Sequence, residues 1–179
     1  GTLRSGDTLI MNLTDAHRYR IARDRGAAFL LDKLRPDGGF GPQDRGVDNY
    51  YKVVSALHVC GESAAANRLC SWIRQHGLQP NGDFGPRPND MFEYSHAYYN
   101  SWIVIGAHRM GHYDIAERGM DFLMEFHDPT SGGFYSSLTE RSPETLQDIW
   151  VVCGVGRAAL ATSRIDVAVG VASWLRDLM

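Results

Sequence analysis

The sequence predicts an all-α domain made of repeated antiparallel helical hairpins, with about seven helices. Apolar residues follow helical spacing, which is interrupted by three glycine-rich loops that each end in phenylalanine, at residues 37–40, 81–84 and 131–134. Aromatic side chains recur in the helix before each loop, and a second turn recurs at Gly61, Gly111 and Ser163. The period of roughly 43 to 52 residues is typical of a repeated supersecondary unit.

The helices can be predicted in order along the chain. Residues 1–13 form an N-terminal arm, and residues 14–179 form the helical domain. Thr14 and Asp15 are suitable caps for the first helix, and Ser142-Pro143-Glu144 is typical of a later helix start with proline at its first position. We expect helices over about 15–34, 48–60, 63–79, 91–111, 114–128, 142–160 and 165–179.

The composition excludes several function classes. The chain has 179 residues, 44% hydrophobic and 22% charged, which suits one domain with a substantial core. Its net charge of −3 and its scattered arginines do not favour nucleic-acid binding. The sequence contains neither an apolar run long enough to span a membrane nor the charged-then-apolar pattern of a signal sequence. We therefore expect a cytoplasmic protein.

The three cysteines do not indicate a metal site or a disulfide framework. Cys60, Cys70 and Cys153 lie far apart among apolar residues, without the spacing of metal ligands. We expect each to pack as a small hydrophobic side chain. The sequence has no Gly-x-Ser-x-Gly nucleophile motif, and its glycine loops lack the lysine of a phosphate-binding loop. The sequence therefore predicts neither a metal nor another cofactor.

The repeated loops resemble those of a known superfamily. The terpenoid cyclase and protein prenyltransferase α/α-toroid superfamily has a repeat similar to Arg25-Gly26-Ala27-Ala28-Phe29-Leu30 with Asp37-Gly38-Gly39-Phe40, and to the counterparts ending in Gly82-Asp83-Phe84 and Gly132-Gly133-Phe134. The resemblance extends from about His17 onward, although the glutamine usual in the cyclase repeat is not in its place. It implies an (α/α) toroid in which outer and inner helices alternate.

A closed toroid of that superfamily has about six hairpins, whereas about three and a half are predicted here. The resemblance therefore implies part of a toroid, which a homodimer partner or a missing second half would complete. Residues 128–138 also resemble a segment of the acylglucosamine 2-epimerase group, another six-hairpin toroid, which isomerises sugars.

Two functional motifs of the toroid superfamily are not matched. The aspartate-rich acid motif of class II terpene cyclases, Asp-x-Asp-Asp, does not occur in the chain. The prenyltransferase zinc site is also not matched, since the residue two places after Asp148 is Trp150 rather than cysteine. These departures favour neither a polyene-protonating cyclase nor a zinc enzyme.

Both resemblances place the active site in the central cavity, near the starts of the inner helices. On that basis we expect four catalytic side chains, those of Glu93, His96, Tyr99 and Asp148. We expect substrate binding by Asp48, Tyr51, Tyr98, Asn100, Gln147 and Trp150. Glu93, His96 and Tyr99 follow one another at intervals of three and so share a helical face. Histidine exchanges protons near neutral pH, with a carboxylate or phenol as its complement.

These expectations favour an enzyme that acts on a small-molecule substrate, and two alternatives stay open. The first hypothesis is an acid–base isomerase, cyclase or lyase of a small, largely apolar biosynthetic intermediate. The alternative enzyme is a sugar epimerase or isomerase of the acylglucosamine 2-epimerase type. The alternative class is a non-catalytic helical-repeat binding or assembly module, for which we expect Val167, Val171 and Trp174 to expose an apolar flank to a partner.

Overall fold

The computed structural model describes residues 13–89, 92 and 95–179. The helices are α1 (Leu13–Asp32), α2 (Val47–Tyr50, a single turn), α3 (Val53–Cys60), α4 (Ser63–Trp72), α5 (Ser95–Arg109), α6 (Tyr113–Met124), α7 (Ile149–Ala161) and α8 (Ile165–Asp177). A 3₁₀ turn, Gln43–Arg45, precedes α2, and a π-helical turn, Ile73–Gly77, extends α4. Seven helices among the described residues have eight or more residues, which confirms the predicted all-α fold class. The predicted arm lies outside the described residues except for Leu13.

The seventh helix, α7, begins later than predicted. Residues 142–145 form a turn in which the Thr145 N–H donates to the Ser142 carbonyl at 3.0 Å. The N-cap of α7 is instead Asp148, whose Oδ1 accepts a hydrogen bond from the Trp150 N–H at 2.8 Å. This carboxylate satisfies an N–H that has no partner within the helix, which is why the helix starts there.

The helices pack as a series of hairpins. α3 pairs with α4, α5 with α6 and α7 with α8, and a short turn joins each pair. α5 also packs between α3 and α7, so these three helices form an inner row, and α1 contacts the first of them. The starts of α3, α5 and α7 therefore lie at the same end of the row. The hairpin repeat is confirmed, whereas closure of the row into a toroid stays a prediction.

Equivalent turns have equivalent backbone geometry. The turn after each inner helix contains a residue with a left-handed backbone, and these residues are Gly61, Gly111 and Ser163, with φ of 89°, 79° and 62°. The loop before each inner helix forms one isolated antiparallel bridge, which pairs Leu34 with Phe40, Leu78 with Phe84 and His127 with Phe134. The repeat register predicted for both kinds of turn is thus confirmed.

Each loop also contacts the following outer helix through a glycine. Gly38, Gly82 and Gly132 all have φ between 79° and 90°. A Cβ at Gly132 would lie 2.7 Å from the Gly170 carbonyl oxygen of α8, and a Cβ at Gly82 would overlap the Arg118 carbonyl oxygen of α6. Glycine fits both the backbone conformation and the available space. The loops thus fasten each hairpin to the next.

The core lies between the inner and outer helices, and two of the loop phenylalanines are part of it. Phe84 and Phe134 are fully buried. The recurring helical aromatics are less uniform than predicted, since Phe122 of α6 is 5% exposed whereas Phe29 of α1 is 63% exposed. The difference follows from topology, because no inner helix precedes α1 among the described residues.

The last hairpin does not expose the side chains that were predicted to form an apolar flank. Val167 and Val171 are buried, and Trp174 is half-buried. The prediction was wrong for the two valines because this side of α8 packs against α7. The exposed apolar side chains of the hairpin include Leu160 and Val169.

The described residues answer two further questions raised by the sequence. None of their helices combines the length and the apolar character that crossing a bilayer requires. Cys60, Cys70 and Cys153 are free thiols. Cys70 packs in the core, and burial raises the pKa of its thiol to about 12.

Candidate functional site

The starts of the inner helices bring most of the predicted site residues to one end of the row. Tyr51 and Lys52 link α2 to α3, Tyr98 and Tyr99 lie in the first two turns of α5, and Trp150 lies in the first turn of α7. Glycine loops fasten successive hairpins, so the three helix starts are held side by side. The side chains divide into an exposed group and a group buried beneath the second loop.

The exposed group is an aromatic surface, formed by Tyr51, Tyr98, Tyr99, Trp102 and Trp150. The rings of Tyr51 and Tyr99 stack, with centroids 4.0 Å apart and planes inclined by 15°. The Tyr98 centroid lies 6.2 Å from that of Tyr51 and 6.3 Å from that of Trp150. All five residues are at least partly accessible to solvent. Ring faces of this kind bind planar or apolar molecules and attract cations.

Two cations of the protein itself lie on the aromatic surface. Lys52 Nζ is 5.2 Å from the ring centroids of Tyr51 and Trp102 and 5.5 Å from that of Tyr98. The Arg157 guanidinium carbon is 4.7 Å from the Trp102 centroid. Burial would lower the pKa of Lys52, but interactions with the Tyr98 and Tyr51 phenols outweigh it and raise this pKa. Lys52 is therefore charged at neutral pH.

A carboxylate and a phenol form a hydrogen-bonded pair at the edge of the aromatic surface. The Tyr99 hydroxyl donates to Asp48 Oδ1 at 3.0 Å. Arg45 forms a salt bridge of 2.6 Å with the other oxygen, Oδ2. The pair places a proton donor and a proton acceptor beside the stacked rings, as general acid–base chemistry requires.

The buried group is a network around Asp83, which we call the Asp83 network. Asp83 Oδ1 accepts hydrogen bonds from Arg87 Nη2 at 2.5 Å and Asn100 Nδ2 at 2.8 Å, and Oδ2 lies 2.9 Å from His96 Nε2. Arg87 also donates to Asn100 Oδ1 at 2.6 Å. All four side chains are mostly or fully buried. The network ties the second glycine loop to the start of α5.

Hydrogen bonding and charge keep Asp83 ionised despite its burial. Burial alone would raise the pKa of Asp83, but hydrogen bonds from His96 and Arg87, together with the Arg87 charge, hold this pKa far below its usual range. A carboxylate can only accept hydrogen bonds, so Nε2 of His96 must carry the proton. The same loop is held by Tyr50, whose buried hydroxyl donates to the Gly85 carbonyl at 2.7 Å.

His96 and Tyr99, which were predicted to act together, have different neighbours. The His96 side chain is 13% exposed, and its ring centroid lies 6.1 Å from that of Phe122 in α6. Tyr99 instead contacts Asp48 of α2 and Tyr51, which precedes α3. A general base must reach the proton that it removes. The position of His96 therefore favours a structural role, and its catalytic role stays a prediction.

Two predicted substrate-binding amides are used inside the protein. Asn100 is fully buried, and both ends of its amide bind within the Asp83 network, which favours a structural role, so its contact with substrate stays a prediction. Gln147 Nε2 donates to Asp128 at 2.9 Å, and its Oε1 accepts from the Ser131 hydroxyl at 3.1 Å. These contacts tie the third glycine loop to α7, much as the Asp83 network ties the second loop to α5.

The remaining predicted catalytic residues differ in position. Asp148 is the N-cap of α7, so one of its oxygens is occupied by the helix start. Glu93 lies outside the described residues. Tyr99 is the member of the predicted catalytic set that lies on the aromatic surface, and its hydroxyl bonds to Asp48, which was predicted to bind substrate.

Asp83, Arg87 and Arg157 are among the residues near the site that are missing from the sequence-based predictions. Asp83 and Arg87 lie in the loop before α5, where helical spacing does not apply, so the sequence contains no signal for their contact. Arg157 follows Trp150 by seven residues, which places both on one face of α7. That spacing is the signal that could have found Arg157.

Comparisons with known proteins do not identify the chain. The sequence matches no protein-family model and finds no match among curated proteins. The relationship to α/α toroids therefore stays a prediction. Within the described part of the chain, no three histidine, cysteine, aspartate or glutamate side chains are grouped as metal ligands would be. The site contains exposed aromatic rings, two cations, and the hydrogen-bonded pair of the Asp48 carboxylate and the Tyr99 hydroxyl.

Proposed function

We propose that the chain is part of an α/α-toroid enzyme, an acid–base isomerase or cyclase, whose aromatic surface binds a small, largely apolar molecule. The observation that supports this most directly is the 3.0 Å hydrogen bond between Asp48 and Tyr99, beside the Tyr51 and Tyr99 stack. A base, an acid and flat apolar faces on one surface are what such a reaction needs.

Asp48 and Tyr99 have complementary roles in this proposal. The Asp48 carboxylate removes a proton from a carbon next to a carbonyl or a double bond, and the electron pair moves into the adjacent π system. Tyr99 has one hydroxyl hydrogen, so in this step it turns from Asp48 and donates that hydrogen to the carbonyl oxygen on which negative charge develops. The proton held by Asp48 then returns to another carbon, so the product has the same atoms as the substrate. The rings of Tyr51 and Tyr98 hold the planar intermediate.

His96 has a structural role here rather than the catalytic role expected from the sequence. Its hydrogen bond to Asp83 ties the second glycine loop to α5. A substrate on the aromatic surface meets the Tyr98 and Tyr99 phenols, whereas the imidazole lies beneath the second loop.

Proton exchange with solvent tests the enzymatic proposal. The intact protein is incubated in D₂O with a panel of small cyclic enones and β,γ-unsaturated ketones, and NMR records deuterium at carbon. We expect incorporation above the buffer rate, and its loss in both Tyr99→Phe and Asp48→Asn. Tyr19→Phe and Asp24→Asn on α1, which are exposed and far along the chain from the site, are the matched controls. Incorporation at the buffer rate alone with the wild-type protein would contradict the proposal.

A second candidate function is assembly with a second copy of the chain. An apolar groove of about 330 Å³ lies between α7 and α8, lined in part by Gly156, Leu160, Ala168 and Leu175. In the preceding hairpin, α7 itself packs against both α5 and α6. The groove is therefore the position that a further inner helix would occupy, and we propose that an inner helix of a second copy fills it and extends the row.

The mass of the intact protein in solution tests this candidate. Light scattering is expected to give twice the chain mass, and Leu160→Glu is expected to give the mass of one chain. Val169→Glu in α8 is the matched control, since Val169 is 59% exposed and Leu160 60% exposed, but Val169 does not line the groove. A wild-type protein that stays monomeric at high concentration would contradict assembly and leave the enzymatic proposal to its own test.

A further inference from the structure

A second cleft lies between α5 and α7, beyond the aromatic surface and toward the other end of the inner row. Its volume is about 300 Å³. Arg109 and His108 line it from α5, Arg157 lines it from α7, and Ile105 and Leu160 supply apolar walls. The lining contains three basic side chains and no acidic one. We call it the basic cleft.

The arginines of the basic cleft lack the partners that most other arginines have. Ten of the described arginines form a hydrogen bond or salt bridge with a carboxylate or a backbone carbonyl, and they are Arg18, Arg23, Arg35, Arg45, Arg74, Arg87, Arg118, Arg141, Arg164 and Arg176. Arg109 and Arg157 form neither kind of contact with any described residue. Two uncompensated positive charges that line one cleft repel each other, and a bound anion would relieve the repulsion.

The basic cleft is continuous with the aromatic surface. Trp102 and Arg109 are seven residues apart on α5, and Trp150 and Arg157 are seven apart on α7, so each pair lies on one helical face. Arg157 joins the two regions, because its guanidinium carbon lies 4.7 Å from the Trp102 centroid while its side chain lines the cleft. Stacking on the ring restricts the guanidinium before any ligand arrives, which lowers the entropy lost on binding.

We propose that the basic cleft binds the anionic group, a phosphate or a carboxylate, of a molecule whose apolar part lies on the aromatic surface. The inference rests on the proposed function, since it identifies the substrate of that surface as amphiphilic and anionic. Arginine matches such a group because its planar N–H donors pair with two oxygens at once. The charged Lys52 above Trp102 adds attraction where the two regions meet.

Binding of small test ligands distinguishes the inference from the proposed function. Isothermal titration calorimetry of the intact protein compares phenyl phosphate, benzoate and neutral benzyl alcohol, which share one aromatic ring. We expect the two anions to bind at least about tenfold more tightly than benzyl alcohol, and inorganic phosphate to compete with phenyl phosphate. Tighter binding of benzoate or of phenyl phosphate shows which oxyanion the cleft prefers.

Single substitutions show which arginine is responsible for binding the anion. Arg157→Gln and Arg109→Gln are each expected to weaken phenyl phosphate binding about tenfold. Arg109→Gln should leave benzyl alcohol binding within about twofold, because Arg109 lines the cleft, whereas Arg157→Gln also removes the cation over Trp102 and is compared for phenyl phosphate alone. Arg20→Gln on α1, an exposed arginine that also forms no pair with a described residue, is the matched control and should change neither affinity. Thermal unfolding of each variant shows whether it is folded, and Arg157→Lys, which keeps the charge, is expected to recover part of the affinity.

Each of the other outcomes contradicts either the anion site or the aromatic surface. Equal affinity for the anions and benzyl alcohol overturns the anion site and leaves the aromatic surface standing. No binding of any of the three overturns both the inference and the proposed binding surface. An equal effect of Arg20→Gln and Arg157→Gln means that the attraction comes from the charge of the whole protein, which overturns the basic cleft as a site.

Discussion

On one side of α5, His96 and Asn100 join the Asp83 network, in which His96, Arg87 and Asn100 each hydrogen-bond to Asp83 and all four side chains lie mostly out of solvent. On the other side, Tyr98, Trp102 and Arg109 lie beside rings and cations, and no described carboxylate pairs with Arg109. Both sides are rich in polar groups. Those on the first side are mostly satisfied within the protein, although Arg87 Nη1 is buried without a hydrogen-bond partner among the described residues, whereas Arg109 and Arg157 on the second side pair with no described carboxylate.

The difference indicates which polar residues of the protein stabilise the fold and which are available to a ligand. A buried charge is costly unless it has partners, so the hydrogen bonds to the Asp83 carboxylate stabilise one arrangement of loop and helix. An exposed ring or an unpaired arginine contributes little to folding and remains available to another molecule. Five predictions test that division and the packing around it, from the largest expected effect to the smallest.

Asp83→Ala is expected to have the largest effect on stability. It leaves the buried Arg87 charge and the Asn100 amide without their common acceptor, and breaking a buried pair in this way costs about 3–5 kcal/mol. Urea denaturation measures the change in the free energy of unfolding. Asp24→Asn, at an exposed pair between neighbours on α1, is the control and should leave that free energy unchanged.

The pH dependence of stability gives a second measure of how much Asp83 contributes to the free energy of unfolding. The pKa of Asp83 is lower in the folded protein than the value of about 3.9 expected when unfolded. Its contribution is therefore complete above that pH and is lost as the pH falls further. The free energy of unfolding should fall less steeply below about pH 5 in Asp83→Ala than in the wild type. Some slope remains, because Asp114 and Asp128 have pKa values of about 2. Equal slopes in the two proteins would contradict the network.

Gly82→Ala tests how tightly the second loop is fastened. Gly82 and Gly61 have nearly the same φ, 90° and 89°, but a Cβ at Gly82 would overlap the Arg118 carbonyl, whereas a Cβ at Gly61 meets nothing within 4 Å. Gly61→Ala should cost about 1–2 kcal/mol from backbone strain alone, and Gly82→Ala about twice that. Equal losses in urea denaturation would show that the loop can move away from α6.

The repeat was predictable from the sequence because its signals are local. A glycine that needs a positive φ, or a phenylalanine at a fixed distance from that glycine, can be recognised within one short segment. Gly61, Gly111 and Ser163 were aligned in this way, and their backbone geometry agrees. The start of α7 was predicted wrongly. Pro143 and Asp148 both mark possible helix starts in the sequence, and the helix begins after Asp148.

The site was only partly predictable, because its contacts join distant segments. The sequence predicted the three inner helices, although it placed the start of α7 too early, and it did not show which side of α5 faces the second loop. His96 and Tyr99 are three residues apart, yet one bonds to Asp83 and the other to Asp48. Likewise, Lys52 and Arg157 meet at Trp102 across more than half the chain, a pairing for which the sequence contains no signal.

His96→Gln separates the structural role of the imidazole from a catalytic one. The change removes one hydrogen bond to a charged partner, so we expect a loss of about 1–2 kcal/mol in the free energy of unfolding. Because the imidazole lies on the buried side of α5, benzyl alcohol affinity and deuterium incorporation should keep their wild-type values at a temperature where the variant is folded. Loss of incorporation with unchanged stability would restore His96 as the base that the sequence suggested.

Tyr99→Phe should show the reverse pattern, and it has the smallest expected effect on stability. The variant keeps the ring that stacks on Tyr51 at 4.0 Å and removes the hydroxyl that donates to Asp48. Since Asp48 also has Arg45 as a partner, it is not left unsatisfied, and the loss should be about 1 kcal/mol or less. Calorimetry should find benzyl alcohol affinity unchanged while NMR finds deuterium incorporation lost. If both benzyl alcohol affinity and deuterium incorporation are lost, the hydroxyl is needed for the shape of the surface. Asp48 alone would then remain as the proposed acid–base residue.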